Sequence, residues 1–129
     1  MTDQKKVLVI DDDPDVLDQV SMMLRSRGYE VLPASSRAEG EELLLQTQPD
    51  LCVCDLMMED MDSGFVLCHT AKKLYPDVPV ILLTGVTAAT GISFRSQDAR
   101  GRAWVQADLI LDKPVRPDEL GSAVAKLLG

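Results

Sequence analysis

A chain of 129 residues and 14.1 kDa has room for one domain, 1–129, and 46% hydrophobic with 26% charged residues is the balance of a globular fold. Thirteen basic against 21 acidic residues leave a net charge of −8, so phosphate backbones and anionic lipid are repelled and neither nucleic acid nor membrane is an expected partner. No apolar run approaches the roughly 20 residues of a membrane span, and polar Met1–Lys6 has no secretory core behind it, so a cytoplasmic chain is expected.

Short apolar runs alternate with amphipathic stretches along the chain. Lys6–Ile10 predicts a strand. Pro14–Arg27 predicts a helix, with Val16, Leu17, Val20, Met23 and Leu24 at helical spacing. Asp13 before Pro14 is an N-cap acceptor followed by proline at the first helical position, and Gly28 is the stop. Glu30–Ala34 reads as the second strand, and Arg37–Gln46 as a helix with Leu43 and Leu44 inward. Leu51–Asp55 is the third strand, followed by a loop and a helix from about Gly64 to Leu74. Pro79–Thr84 and Leu109–Asp112 are the fourth and fifth strands, and Pro117–Leu128 is the last helix, with Leu120, Val124 and Leu127 on one face.

Val-Leu-Val-Ile, Leu-Cys-Val-Cys and Val-Ile-Leu-Leu show no alternation, which predicts strands buried on both faces of a parallel sheet. The expected fold is α/β: a doubly wound, flavodoxin-like sheet of five strands in the order 2-1-3-4-5. Val86–Ala107 has weak periodicity and two glycines, so an atypical, extended β4–β5 segment is expected there. Cys52, Cys54 and Cys68 read as buried apolar side chains. A C-x-C pair on a strand spans about 6.6–6.8 Å, near the limit for a disulfide, and matches no zinc spacing. The single histidine, His69, reads as a helix-surface residue.

Polar residues gather at the carboxyl ends of the predicted strands: Asp11, Asp12 and Asp13 after the first, Asp55 on the third, Thr84 on the fourth, Asp112 and Lys113 on the fifth. Open parallel sheets bind ligands outside those ends, where the strand order reverses. For order 2-1-3-4-5 this unites Asp11, Asp12 and Asp55, with Thr84 and Lys113 arriving from the other side. Three carboxylates in one cleft need a cation, and oxygen-only ligands with open positions suit Mg²⁺. Lys113 and Thr84 add a charge and a donor for a group rich in anionic oxygens. The simplest such group is a phosphoryl on Asp55, whose carboxylate stands in the most apolar run of the chain.

These residues resemble the receiver domain of two-component response regulators. Val-Leu-Val-Ile-Asp-Asp-Asp-Pro-Asp-Val, Pro-Asp-Leu-Cys-Val-Cys-Asp-Leu-Met-Met, Val-Pro-Val-Ile-Leu-Leu-Thr-Gly and Leu-Asp-Lys-Pro-Val-Arg-Pro-Asp-Glu-Leu match it in order over essentially the whole chain. The resemblance implies Asp55 as phosphoacceptor and Asp12 as a direct Mg²⁺ ligand. Asp11 would act through water and Met57 through its backbone carbonyl. Thr84 and Lys113 would contact phosphoryl oxygens, and Lys113-Pro114 would be a cis peptide. It further implies a sensor histidine kinase or phosphotransfer protein as donor, an unidentified downstream protein target, and a monomer or weak dimer.

The chain departs from the family pattern in three places. Ile110 stands where the family carries an aromatic switch residue. Thr84 to Lys113 spans 29 positions, several more than usual, and Glu59 replaces a common proline. Output is therefore expected through Val86–Ala107, with Phe94 and Trp104 as apolar anchors. Apolar Met57 and Val86, at positions that position water in the family, imply a long-lived phosphoryl group. An aspartate-nucleophile phosphatase would want a second Asp at Met57, so the chain is not expected to be an enzyme beyond weak self-phosphorylation and self-dephosphorylation. A calcium loop fails at Val16 and Met22. The rival is an adaptor that binds partners without phosphorylation, against which the full acid–Thr–Lys set argues. Only 16 residues follow Lys113, so no output domain is expected.

Overall fold

All five apolar runs enter one parallel sheet. In the computed structural model, residues 4–55, 63–84, 108–113 and 115–128 are described, 63–65 and 112 by backbone alone. β1 (Lys6–Ile10), β2 (Glu30–Ala34), β3 (Leu51–Asp55), β4 (Val80–Thr84) and β5 (Leu109–Asp112) take the order β2-β1-β3-β4-β5. Between and after them run α1 (Pro14–Ser26), α2 (Arg37–Gln46), α3 (Ser63–Leu74) and α4 (Pro117–Leu128). The predicted order holds, and these boundaries match the predicted ones to within one residue. Expectations for Met57, Glu59, the Lys113-Pro114 peptide and Val86–Ala107, with Phe94 and Trp104, fall outside the described residues.

Alternation along each strand sends side chains to opposite faces, and helices cover both. Leu8, Ile10, Cys52, Cys54, Val80 and Leu82 pack with Leu44 of α2 and with Leu67, Cys68 and Ala71 of α3. Val7, Val9, Leu51, Val53, Ile81 and Leu83 pack on the other side with Val20 and Leu24 of α1 and Leu120 and Val124 of α4. That is why β1, β3 and β4 read as unbroken apolar runs. Edge strand β2 exposes Glu30 and Pro33 instead. Ser21, buried on α1, has no hydrogen-bond partner among the described residues.

Local signals set the helix ends. The Asp13 side chain accepts from the Asp15 N–H at 3.0 Å, with Pro14 filling the first position. At the other end Gly28 takes φ +93°, Gly28 N–H donates to Arg25 O, and Tyr29 N–H donates to Leu24 O, a Schellman stop. Ser36 caps α2 through Glu39 N–H, while Glu39 Oε1 accepts from Ser35 N–H at 2.7 Å. At the amino ends of the strands, carboxylates take up spare backbone donors. Asp50 accepts from Lys6 N–H at 2.7 Å, and Asp108 from Val80 N–H at 2.8 Å and from Lys72 Nζ at 2.7 Å.

All three thiols are buried and unbridged, as expected. Burial pushes Cys52 up to about 12 and Cys68 up to about 11, and raises Cys54 as well. The thiolate is the reactive form, so these groups are inert in the folded chain. At pH 8, Ellman's reagent should label none of the three natively and all three after denaturation. A thiol that reacts within minutes in the native state would contradict this packing.

Two helical glycines test how tightly the layers meet. A Cβ on Gly40 would stand 2.7 Å from Ile10 Cδ1 and 3.2 Å from Leu67 Cδ2, inside the α2–α3 core. A Cβ on Gly121 would meet only the Arg27 guanidinium, which can swing into solvent. Gly40→Ala should therefore destabilise by about 1–2 kcal/mol despite its helix propensity gain. Gly121→Ala should be neutral or stabilising by up to about 0.5 kcal/mol. Urea denaturation of both variants reads the contrast.

Candidate functional site

The sheet ladders carry the site residues just past the last core side chains. Asp11 N–H donates to Ala34 O at 3.1 Å, extending the β1–β2 pairing by one residue. Asp55 ends β3 in register with Leu83, so Thr84 lies one residue further along β4. Lys113 N–H donates to Thr84 O at 2.7 Å, which continues the β4–β5 pairing beyond Asp112. Because β1 and β3 are neighbours at the point where the order reverses, Asp11 and Asp55 are brought side by side.

Asp11 and Asp55 are 1% and 5% exposed and Thr84 is fully buried, whereas Asp12 is exposed at the mouth. Lys113 Nζ lies 3.1 Å from Asp11 Oδ2 and 3.2 Å from Asp55 Oδ1, so one ammonium bridges both carboxylates. Asp11 Oδ1 accepts from Asp13 N–H at 2.9 Å, which engages both of its oxygens. Burial by itself would lower the Lys113 pKa. The carboxylates of Asp55 and Asp11, by charge and hydrogen bonding, outweigh that and hold it above the ordinary lysine value.

Asp11, Asp12 and Asp55 each bring an oxygen to within 4.8 Å of the others. A hard octahedral cation holds oxygens at about 2.0–2.1 Å, so ligands on one ion lie up to about 4 Å apart. Asp12, exposed at the mouth, has room to turn toward the other two, and the mouth leaves positions for water. This oxygen-only donor set fits Mg²⁺. Of the residues singled out from the sequence, Asp11, Asp12, Asp55, Thr84 and Lys113 converge at the carboxyl edge. His69 is exposed on α3, as expected. Asp50 and Asp108 are carboxylates whose roles the sequence did not disclose; each lies at or just before the start of a strand.

A carboxylate cluster bridged by a lysine, at the switch point of a doubly wound parallel sheet, defines a flavodoxin-like α/β domain. The chain belongs to the response regulator receiver domain family, which it matches over residues 7–125. It is 35% identical over 125 residues to the DNA-binding dual master transcriptional regulator RpaA of a Synechocystis species, covering 95% of this chain and 48% of that protein. Thus the chain spans about half, or less, of the curated relatives it matches. The crystal structure of a CheY-like receiver domain protein from Methanospirillum hungatei superposes with a TM-score of 0.81 at 27% identity, covering 98% of this chain and 94% of that one. Response regulator protein TrrA of Thermotoga maritima, solved in complex with Mg²⁺-BeF, gives 0.77 at 25% identity, covering 96% and 99%. Among the described residues no helix is long and apolar enough to cross a membrane.

The bridge sets a measurable stability term. Lys113→Met leaves two buried carboxylates without their counter-charge, which should cost about 2–3 kcal/mol at pH 7 for a pair whose lysine is partly exposed. Since folding raises the Lys113 pKa, its contribution is fully present below the unfolded value near 10.5 and is lost as pH rises through the higher folded value. The gap in urea stability between wild type and Lys113→Met should stay constant from pH 7 to about 10 and narrow above it.

Proposed function

We propose that Asp55 is the phosphoacceptor of a two-component receiver, taking its phosphoryl group from a phosphohistidine on a sensor kinase or phosphotransfer protein. The observation that carries this reading is the buried Asp55 carboxylate, 3.2 Å from the Lys113 ammonium and clustered with Asp11 and Asp12. In the transfer, an Asp55 oxygen attacks phosphorus in line, the P–N bond to the histidine breaks, and the imidazole nitrogen keeps that electron pair. The protein's share is orientation and charge neutralisation rather than acid–base work. Lys113 and the Thr84 hydroxyl receive the phosphoryl oxygens. Lys113 is released in part from Asp11 as negative charge grows on Asp55.

Mg²⁺ is the proposed cofactor: Asp12 and Asp55 would hold it directly, Asp11 through water, and Met57, which lies outside the described residues, through its backbone carbonyl. When bound, it offsets the negative charge shared by the carboxylates and the phosphoryl oxygens. Asp11, with both oxygens engaged, has less freedom to turn toward an ion than exposed Asp12, which supports that division of labour. The Mg²⁺-BeF complex of TrrA supports Mg²⁺ as the cation. The receiver domain is proposed to act in the cytoplasm, with no enzymatic activity beyond weak self-phosphorylation from small donors and self-dephosphorylation. Its output is a changed protein-binding surface or onward transfer of the phosphoryl group. The DNA-binding activity named for RpaA is not carried over, because this chain spans only half of that protein.

Incubation with acetyl phosphate and Mg²⁺, followed by intact mass, tests the reading. Wild type should gain one phosphoryl group, and Asp55→Asn and EDTA-treated protein should gain none. Asp12→Ala should need at least about tenfold more Mg²⁺, the loss of one direct carboxylate ligand. A chain that binds its partners without phosphorylation would show no mass gain in any sample.

A further inference from the structure

Asp108 touches three elements at the amino edge of the sheet. Its N–H donates to Val80 O at 2.9 Å and its Oδ2 accepts from Val80 N–H at 2.8 Å, which closes a two-bond ring on the first residue of β4. The same oxygen accepts from Lys72 Nζ on α3 at 2.7 Å. One carboxylate therefore ties α3 and β4 to the residue that precedes β5. Asp50 closes the same ring on Lys6, with its N–H donating to Lys6 O at 2.8 Å and its Oδ2 accepting from Lys6 N–H at 2.7 Å. In both places the ring sets where a strand starts against its neighbour.

For β5 that start matters to the site, because little else fixes its register. β5 pairs with β4 alone, and residues 85–107 separate it from Thr84, a connection too long to dictate pairing. Leu109 and Leu111 pack in the layer of α1 and α4 and Ile110 in the layer of α2 and α3, so the apolar pattern does not tell one face from the other. In the register found, Ile81 pairs with Leu109, Thr84 with Asp112, and Lys113 N–H reaches Thr84 O. A slip of one residue would move Lys113 by about 3.3 Å and turn its side chain to the opposite face, away from Asp11 and Asp55. We propose that Asp108 is a positioning residue for Lys113. From about 16 Å away along the strand, it fixes β5 so that the ammonium falls between the two carboxylates. Lys72 holds the Asp108 carboxylate over the Val80 N–H. What Lys113 does for a phosphoryl group rests on the phosphoacceptor reading above; its placement does not.

Amide hydrogen exchange of the full chain, read by NMR, separates this role from a local cap. In Asp108→Ala the Lys113 N–H should exchange at least about tenfold faster than in wild type, measured relative to Val53 of β3, which reads global stability. Asp108→Asn, whose carboxamide oxygen still accepts from Val80 N–H, should restore most of that protection. Lys72→Met, in which the carboxylate stays but loses its ammonium, should fall between them. With saturating acetyl phosphate, Asp108→Ala should gain its phosphoryl group at least about fivefold more slowly at unchanged half-saturating Mg²⁺, and should add no further loss to Lys113→Met. Faster exchange confined to Val80 and Asp108 with Lys113 protected as in wild type, or losses that multiply in the double variant, would overturn the proposal. A wild type that gains no phosphoryl group would refute the phosphoacceptor reading alone, and exchange at Lys113 would still decide the role of Asp108.

Discussion

Lys113 holds an ammonium between two carboxylates that are almost out of water, and the ends of three strands depend on that charge balance. Asp11 follows β1, Asp55 ends β3 and Lys113 follows β5, so the bridge joins residues 102 apart in the chain. Without it, the switch point of the sheet would concentrate negative charge above a layer of valine, leucine and isoleucine. With it, the same residues form a site whose charge can be redistributed. A cation or an anionic group entering the pocket changes what Lys113 must neutralise.

Carboxylates at the two edges of the sheet answer to different partners. At the amino edge, Asp50 and Asp108 accept from the backbone N–H groups of Lys6 and Val80, which stabilises strand starts and fixes register. At the carboxyl edge Asp11 accepts from the Asp13 N–H and shares the Lys113 ammonium with Asp55. The apolar middle separates the two sets. Cys52, Cys54 and Cys68 belong to that middle, where thiol chemistry is suppressed by burial rather than by absence of sulfur.

The fold was legible in the sequence because its signals are local. Unbroken runs such as Val7–Ile10 and Val80–Leu83 mark strands covered on both faces, and Asp13-Pro14 and Gly28 mark the limits of α1 by hydrogen-bond supply and by positive φ. The positions of Asp11, Asp12, Asp55, Thr84 and Lys113 at strand ends were legible too, since strand order and strand ends together place them on one edge. Asp50 and Asp108 escaped notice because a lone aspartate beside a strand has the same local pattern whether it caps a backbone donor or faces water.

What the sequence determined by itself was therefore element type and the set of polar residues at the strand ends, which follow from periodicity, caps and direction, together with a strand order that follows from the doubly wound fold class. Tertiary structure alone decided how those polar residues are apportioned: one lysine for two carboxylates, both Asp11 oxygens engaged, Asp12 left at the surface. It also decided that Gly40 sits against Ile10. Distances of a few tenths of an ångström govern these outcomes. They are set by side chains packed from elements far apart in the chain, where no local pattern reaches.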